Sequence, residues 1–184
     1  PPPAPAIETA ATATATAPAT TTAIAGEDSG YTQEDDGATS QSLASLNIPR
    51  WGSEFDADMT GSKWQDKVTC IETLGNAVAG GISNGGNNNQ IGPMVAYLYT
   101  KTDKFKSTSN INICKALVAA LHRVCDAATT ATATTNGVSI ATAMRIVTSL
   151  GDKCGDKKVS KAMSSLLIAL TTATATTTNT TTTN

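Results

Sequence analysis

Residues 111–128, INICKALVAALHRVCDAA, carry the clearest helical pattern of the chain. Large apolar residues recur there at intervals of three and four, so they share one side of a 3.6-residue helix. Such a helix is stable in water only when its apolar side is buried against neighbouring helices. The stretch therefore predicts the central helix of an all-α bundle. The residues of this apolar side are Ile113, Leu117, Leu121 and Val124.

The same spacing predicts four further helices on either side of this stretch. Pro93 suits the first turn of one of them, and Gly80 with Gly81 indicates the end of another. Five helices in about 120 residues enclose a single core. We therefore predict a small all-α bundle of about five helices over residues 51–170. The four further helices cover residues 64–82, 93–105, 140–150 and 159–170.

Thr and Ala dominate the sequence outside this domain. Residues 9–25 contain seven Thr and eight Ala, and a Pro-rich segment precedes them. Such segments bury too little apolar surface to offset an ordering cost of about 1–2 kcal/mol per residue. We therefore predict an extended, low-complexity arm over residues 1–50 and an extended tail over residues 171–184.

Four cysteines occur without any C-x-x-C pair, in a chain with only 15% charged residues. In a Thr-rich sequence typical of exported proteins, they predict two structural disulfides rather than a metal site, with buried free thiols as the alternative. Cys114 and Cys125 are separated by about 16 Å on one helix and cannot pair. A helix returning from Asn136-Gly137 would bring Cys154 to Cys114, which leaves Cys70 for Cys125. The predicted bundle is thus disulfide-linked.

Residues that could carry chemistry occur singly. His122 has no serine or cysteine nucleophile motif to partner it. Residues 56–61 match the first half of an EF-hand calcium loop, but Lys67 stands where a bidentate glutamate belongs. Gly-Asp-Lys occurs twice in residues 151–157, without the glycine spacing of a phosphate-binding loop. We therefore predict no catalytic, cofactor-binding or metal-binding residue and no enzymatic activity.

The charge pattern limits the choice of partners. Thirteen Lys and Arg stand against fifteen Asp and Glu, and the basic residues form no dense run. Nucleic-acid binding by counterion release needs clustered cations, so we expect no nucleic-acid partner. No run of 18 apolar residues occurs, so we predict no membrane span. The first residue is Pro1 rather than Met, which we interpret as the removal of an export signal, although a fragment of a longer chain would begin in the same way.

Dense Thr beside Pro is typical of O-glycosylated stalks. Residues 179–181, Asn-Thr-Thr, add an N-glycosylation sequon in the tail. We therefore predict covalent glycans on both ends of the chain. The predicted acceptors are Thr9, Thr12, Thr14, Thr16, Thr20, Thr21, Thr22, Thr171, Thr172, Thr174, Thr176 and Asn179.

The start at residues 1–6, PPPAPA, the Thr tracts at both ends and the small cysteine-containing core form a combination with known parallels. The chain resembles mucin-like and hydroxyproline-rich extracellular glycoproteins, and it is similar to the glycan-coated fibrils recovered from environmental water. The resemblance lies in the composition of the ends rather than in the core. It implies an extracellular location, attached sugars and identical subunits that polymerise.

These observations favour one function and leave a second open. The first is a structural subunit of a secreted, glycosylated filament or other assembly, in which the arm docks on a neighbour and places Ile7 or Ile24 in an apolar groove. The alternative is a secreted lipid- or sterol-binding helical module on a glycosylated stalk. That module would be similar to the oomycete elicitins, although elicitins rely on six cysteines and this chain has four.

Overall fold

The computed structural model describes residues 41–84, 90–105, 109–130 and 138–178. Within these ranges the chain forms helices joined by turns, and none of the described residues lies in a strand. The all-α fold is therefore confirmed. The elements are α1 (Ser53–Thr60), α2 (Trp64–Ser83), α3 (Ile91–Lys101), α4 (Ile111–Thr130), α5 (Ile140–Leu150), a 3₁₀ helix (Gly151–Gly155) and α6 (Ser160–Thr178).

Helix α4 lies at the centre of the bundle, as its apolar pattern predicts. It packs most extensively against α2 and next against α6. Leu117, Val118 and Leu121 of α4 are buried, and full burial of one such side chain stabilises the fold by about 1.5–3 kcal/mol. The central part of the bundle is thus the α2–α4–α6 layer, and the shorter helices cover its ends.

Helix α1 was missed by the sequence pattern and covers one end of α2. Gly52 precedes this helix with a φ of 113°, a backbone angle that residues other than glycine rarely adopt. Trp51, Phe55 and Tyr97 of α3 form an aromatic cluster, with the ring centroid of Tyr97 5.2 Å from Trp51 and 6.2 Å from Phe55. These contacts hold the eight residues of α1, a helix too short to be stable alone.

The bundle begins earlier than the predicted boundary at residue 50. Leu43 and Ile48 are buried members of the core, and residues 41–44 are helical. Leu43 and Ile48 are isolated apolar residues in a polar stretch and form no helical or strand periodicity. The sequence pattern therefore does not predict their burial. Residues 41–50 therefore belong to the bundle, and the predicted arm over residues 1–50 is too long.

The bundle also ends later than predicted. Helix α6 continues to Thr178, so the expected extended tail from residue 171 is wrong over its first eight residues. Leu170 and Ala173 are buried, and the hydroxyls of Thr171 and Thr172 both donate to the carbonyl oxygen of Ile168, at 2.8 and 3.0 Å. Core contacts together with hydrogen bonds to the helix backbone offset the low helix propensity of Thr.

Two helix ends differ from their predictions. Gly80 and Gly81 lie inside α2 rather than ending it. Helix α3 ends at Lys101, four residues before Phe105, and the chain then turns through three consecutive residues with φ between 49° and 64°. Phe105 closes this left-handed turn and is buried against Tyr99, with the rings 5.4 Å apart and edge to face.

The predicted disulfides are absent, because all four cysteines are free thiols. Cys70, Cys114 and Cys125 are buried in the apolar core, whereas Cys154 is exposed on the 3₁₀ helix. A free cysteine packs as a small hydrophobic side chain. The predicted pairs Cys70–Cys125 and Cys114–Cys154 are therefore wrong for this structure, and apolar packing holds the helices together without them.

Among the described residues, no helix combines the length and the apolar character needed to cross a bilayer.

Candidate functional site

Helix α5 begins at a capped N-terminus. The hydroxyl oxygen of Ser139 accepts a hydrogen bond from the backbone N–H of Thr142 at 3.2 Å, which satisfies one of the free N–H groups of the first turn. Arg145 carries the only charged side chain of the helix and lies 5.2 Å over the ring of Tyr99. The capped start and this cation–π contact fix the rotation of α5 on the bundle.

The apolar side of α5 is only half covered. Ile146 and Leu150 are buried in the core, whereas Ile140, Met144 and Val147 are 64%, 56% and 39% exposed. These three residues follow steps of four and three, so they lie within about 60° of one another around the helix. We call Ile140, Met144 and Val147 the α5 stripe. Contiguous exposed apolar side chains of this kind mark interaction sites.

The Ile140 end of the α5 stripe lies near Ser45, close to the first described residues of the chain. A β-carbon built on Gly92 of α3 would lie 3.7 Å from the Thr142 hydroxyl, so the starts of α3 and α5 are adjacent. The Nε2 of Gln90, next to the start of α3, donates to the Ser45 hydroxyl at 3.1 Å. The segment that leads to the predicted arm therefore lies at the Ile140 end of the stripe.

A second surface feature is a groove of about 440 Å³ between α4 and α6. On its α4 side, Nδ1 of His122 pairs with a carboxylate oxygen of Asp126 at 3.1 Å, and Arg123 donates to the side-chain oxygen of Asn76 on α2. On its α6 side lies Ser165. The residues that line the groove are Val118, Ala119, His122, Arg123, Asp126, Ala162 and Ser165.

This groove brings a serine, a histidine and an aspartate together, which sequence reasoning did not anticipate. The Ser165 hydroxyl donates to the carbonyl oxygen of Lys161 on its own helix at 3.2 Å, and no bond joins it to His122 in the described structure. A serine nucleophile needs its base within hydrogen-bond reach. The groove is also lined by ionisable side chains, unlike the closed apolar pocket that a lipid carrier requires.

Asp56 takes part in a partly buried hydrogen-bond network rather than in a calcium-binding loop. One of its carboxylate oxygens accepts from the Tyr97 hydroxyl at 2.5 Å and the other from Nζ of Lys101 at 3.1 Å. Burial, followed by the hydrogen bond to Asp56, raises the pKa of Tyr97 far above its ordinary value. The described residues contain no group of three or more metal-binding side chains. The network fastens α1 to α3.

Burial disfavours ionisation of the three buried cysteine thiols. Burial is the main cause that raises the pKa of Cys70 to about 11 and that of Cys125 to about 12; nearby aspartates add to it, whereas Arg50 lowers the pKa of Cys70. Burial also raises the pKa of Cys114, while Lys153 lowers it. Because the thiolate is the nucleophile and the metal ligand, these thiols serve packing rather than chemistry.

The predicted glycan acceptors and arm contacts fall mostly outside the described residues. Of the C-terminal acceptors, Thr171, Thr172 and Thr174 lie on α6, and each hydroxyl donates to a carbonyl oxygen three or four residues earlier. Thr176 lies on α6, but its side chain is outside the described part. The predicted residues that lie outside the described part of the chain are Thr9, Thr12, Thr14, Thr16, Thr20, Thr21, Thr22, Asn179, Ile7 and Ile24.

The α5 stripe is the feature that sequence reasoning missed. The apolar spacing of residues 140–150 correctly predicts the helix, but it does not show that Ile140, Met144 and Val147 are left uncovered. A signal was nevertheless present, because apolar residues occupy a wide sector of a helix of only eleven residues. A short helix at the edge of a bundle cannot bury such a wide sector on one neighbour.

Comparisons of this chain with protein-family models, with curated proteins and with solved structures give no match.

Proposed function

We propose that this chain is a structural subunit of a secreted, glycosylated filament or other extracellular assembly of identical subunits. The observation that carries the proposal is the α5 stripe, an apolar helix face that the bundle leaves uncovered. A partner that covers Ile140, Met144 and Val147 removes apolar surface from water, which is favourable by about 25 cal/mol per Å². Assembly is the function that such a surface serves best.

The described grooves and networks give this proposal indirect support. Asp56 is occupied by Tyr97 and Lys101, and Ser165 is bonded to its own helix, so neither is poised for a reaction. Such hydrogen bonds fix the helices of the bundle and favour a rigid subunit. A rigid body that carries an arm at one end can repeat head to tail, and contacts of that type generate open filaments.

Sugars on the Thr-rich ends are the second part of the proposal. Their basis is the density of Thr and Pro at residues 1–25 and of Thr at residues 171–183. Bulky polar sugars around an apolar contact would limit assembly to that contact and keep the outside of a filament solvated.

Electron microscopy of native material tests the assembly directly, and we expect filaments or regular oligomers. The intact mass of the same material tests the sugars, since the polypeptide alone accounts for 18.7 kDa. Material that is monomeric at every concentration examined would refute the assembly. A measured mass equal to that of the polypeptide would refute the glycosylation and leave the assembly standing.

A further inference from the structure

We infer that the α5 stripe is the docking site for the arm of a second copy of this chain, and that the arm binds through residues 23–28, AIAGED. The inference rests on the proposed function, because it names the surface that receives the arm. Its occupant is a short extended segment rather than the folded body of another subunit.

The size of the stripe favours a short segment. Ile140 and Val147 are seven residues apart, which is about 10 Å along the helix. A stable contact between two folded bodies needs about 800 Å² and 20–30 residues on each side. Three side chains supply much less than that, whereas one apolar residue of an extended segment would find enough surface between Met144 and its neighbours.

The arm contains a segment that suits this surface. Its only large apolar residues before Tyr31 are Ile7 and Ile24. Ile24 lies in a stretch without any Ser or Thr, from residue 23 to residue 28, between the Thr-rich tract and Ser29. O-linked sugars therefore have no acceptor within that stretch, and its side chains stay free to contact an apolar surface.

Charge separates the arm from the rest of the chain. All thirteen Lys and Arg lie at or after Arg50, whereas six of the fifteen Asp and Glu lie in residues 1–40. The first forty residues thus carry a charge of −6 and the remainder +4, which together give the net −2 of the chain. Opposite charges steer association and fix its direction.

The same complementarity holds locally. Glu27 and Asp28 lie three and four residues after Ile24, and four lysines lie within the eleven residues that follow the end of α5. Two aspartates share that segment, one of them paired with Lys153 at 3.3 Å, but lysines remain in excess. An arm that binds with Ile24 on the stripe and runs towards the C-terminal end of α5 therefore continues towards positive charge. The lysines are Lys153, Lys157, Lys158 and Lys161.

The position of the stripe explains how the contact would repeat. The described chain begins at the Ile140 end of the stripe, through the contacts of Ser45 with Gln90 and of Gly92 with Thr142. Each subunit thus receives one arm beside the root of its own. Forty residues precede the described part, and an extended chain advances about 3.3 Å per residue, so each arm can reach the next subunit.

The test uses the full-length chain with single substitutions. Met144→Glu places a charge in the stripe, and Ser149→Glu places the same charge on a half-exposed site of the same helix, at least about 140° around the helix from each stripe residue. Ile24→Asp and Ala19→Asp form the corresponding pair on the arm. We expect Met144→Glu and Ile24→Asp to raise the concentration needed for assembly at least about tenfold, which corresponds to 1.4 kcal/mol. The two control variants should assemble like the unmodified chain.

A photocrosslinking residue at position 24 identifies the acceptor. Unlabelled chain with this residue is mixed with ¹⁵N-labelled chain, and mass spectrometry should locate the crosslink in residues 140–150 of the labelled partner. Crosslinks confined to the same chain, or Met144→Glu assembling like Ser149→Glu, would overturn this inference and leave the assembly function intact. An unmodified chain that never assembles would overturn both. Equal thermal unfolding of the two α5 variants shows that the bundle remains folded.

Discussion

Gly75 of α2 and Ala120 of α4 meet with no space between them. A β-carbon built on Gly75 would lie 2.7 Å from the β-carbon of Ala120 and 3.1 Å from its α-carbon. Real β-carbons do not approach so closely, and neither backbone can move without disturbing the α2–α4 layer. The closest contact of the two main helices therefore depends on a residue without a side chain.

We expect Gly75→Ala to destabilise the bundle by about 1–2 kcal/mol. Overpacking costs about 1–3 kcal/mol, and the better helix propensity of Ala recovers only part of it. Gly80→Ala, five residues further along α2, is the matched control, since an added β-carbon there meets nothing within 4 Å. It should stabilise by about 0.5–1 kcal/mol. Urea unfolding of both variants measures the difference, and an equal shift in both would contradict the close contact.

The Tyr97 hydroxyl should contribute measurable stability. Tyr97→Phe removes the hydrogen bond to Asp56 and leaves that carboxylate with Lys101 alone. A hydrogen bond to a charged group contributes about 1.5–3 kcal/mol, so we expect a loss towards the lower end of that range. Tyr99→Phe is the control, because no hydrogen bond of the Tyr99 hydroxyl is found among the described contacts. Thermal unfolding that ranks the two variants equally would argue against the network.

The four cysteines should differ in their reaction with a thiol reagent. In the folded protein we expect Cys154 to react first, because it is exposed, while Cys70, Cys114 and Cys125 are buried. After unfolding in denaturant without reductant, all four thiols should react. Counting the modified cysteines by mass spectrometry checks both steps. Fewer than four reactive thiols in the unfolded protein would reveal a disulfide.

Alkaline pH should destabilise the fold. The pKa of Cys70 is raised from 9.0 to about 11 and that of Cys125 to about 12, so above about pH 9 the unfolded chain releases protons that the folded chain retains. Stability is then full below pH 9 and falls as the pH rises towards 11, by up to about 1.4 kcal/mol per pH unit for each thiol. The raised pKa of Tyr97 acts in the same direction.

Urea unfolding at several pH values between 8 and 10.5 measures this slope. Cys125→Ala should make the slope shallower, because one of the titrating groups is then gone. A stability that stays constant over this range would show that these thiols ionise equally well in both states.

Two substitutions in α5 should differ in their effect on stability, because one removes a buried side chain and the other an exposed one. Ile146→Ala empties a buried site, and we expect a loss of about 2–4 kcal/mol. Met144→Ala shortens an exposed side chain two residues away and should change the stability of the monomer by less than about 0.5 kcal/mol. Unfolding measured at a concentration below assembly checks both values. A large loss for Met144→Ala would mean that the bundle itself covers the stripe.

Periodic apolar spacing was sufficient to predict the longer helices. Helix α5 has the predicted bounds, and α4 begins at the predicted Ile111 and ends at Thr130, two residues later than predicted. In both, residues three and four apart carry the signal, and that signal depends only on the neighbouring sequence. Helix α1 lacked it because Phe55 and Met59 are its only buried residues, and their partners lie on other helices.

The surface was less predictable than the core. The spacing of α5 shows which side of the helix is apolar, but only the arrangement of the other helices decides how much of it is covered. Whether Met144 is exposed thus depends on contacts distant in sequence. The disulfide prediction failed for a related reason, since composition suggests the environment of a chain but cannot place Cys70 beside Cys125.

The threonine hydroxyls that stabilise the helices also affect the hydration of the helix surfaces. A Thr hydroxyl that donates to a carbonyl oxygen three or four residues back on its own helix keeps lone pairs for solvent but no hydrogen to donate. Only 15% of the residues in the chain are charged, so few charged groups compensate for these missing donors. Sulfate and similar excluded salts should therefore precipitate the unglycosylated protein at comparatively low concentration. The solvent-accessible threonines that donate in this way include Thr60, Thr69, Thr73, Thr130, Thr171, Thr172 and Thr174.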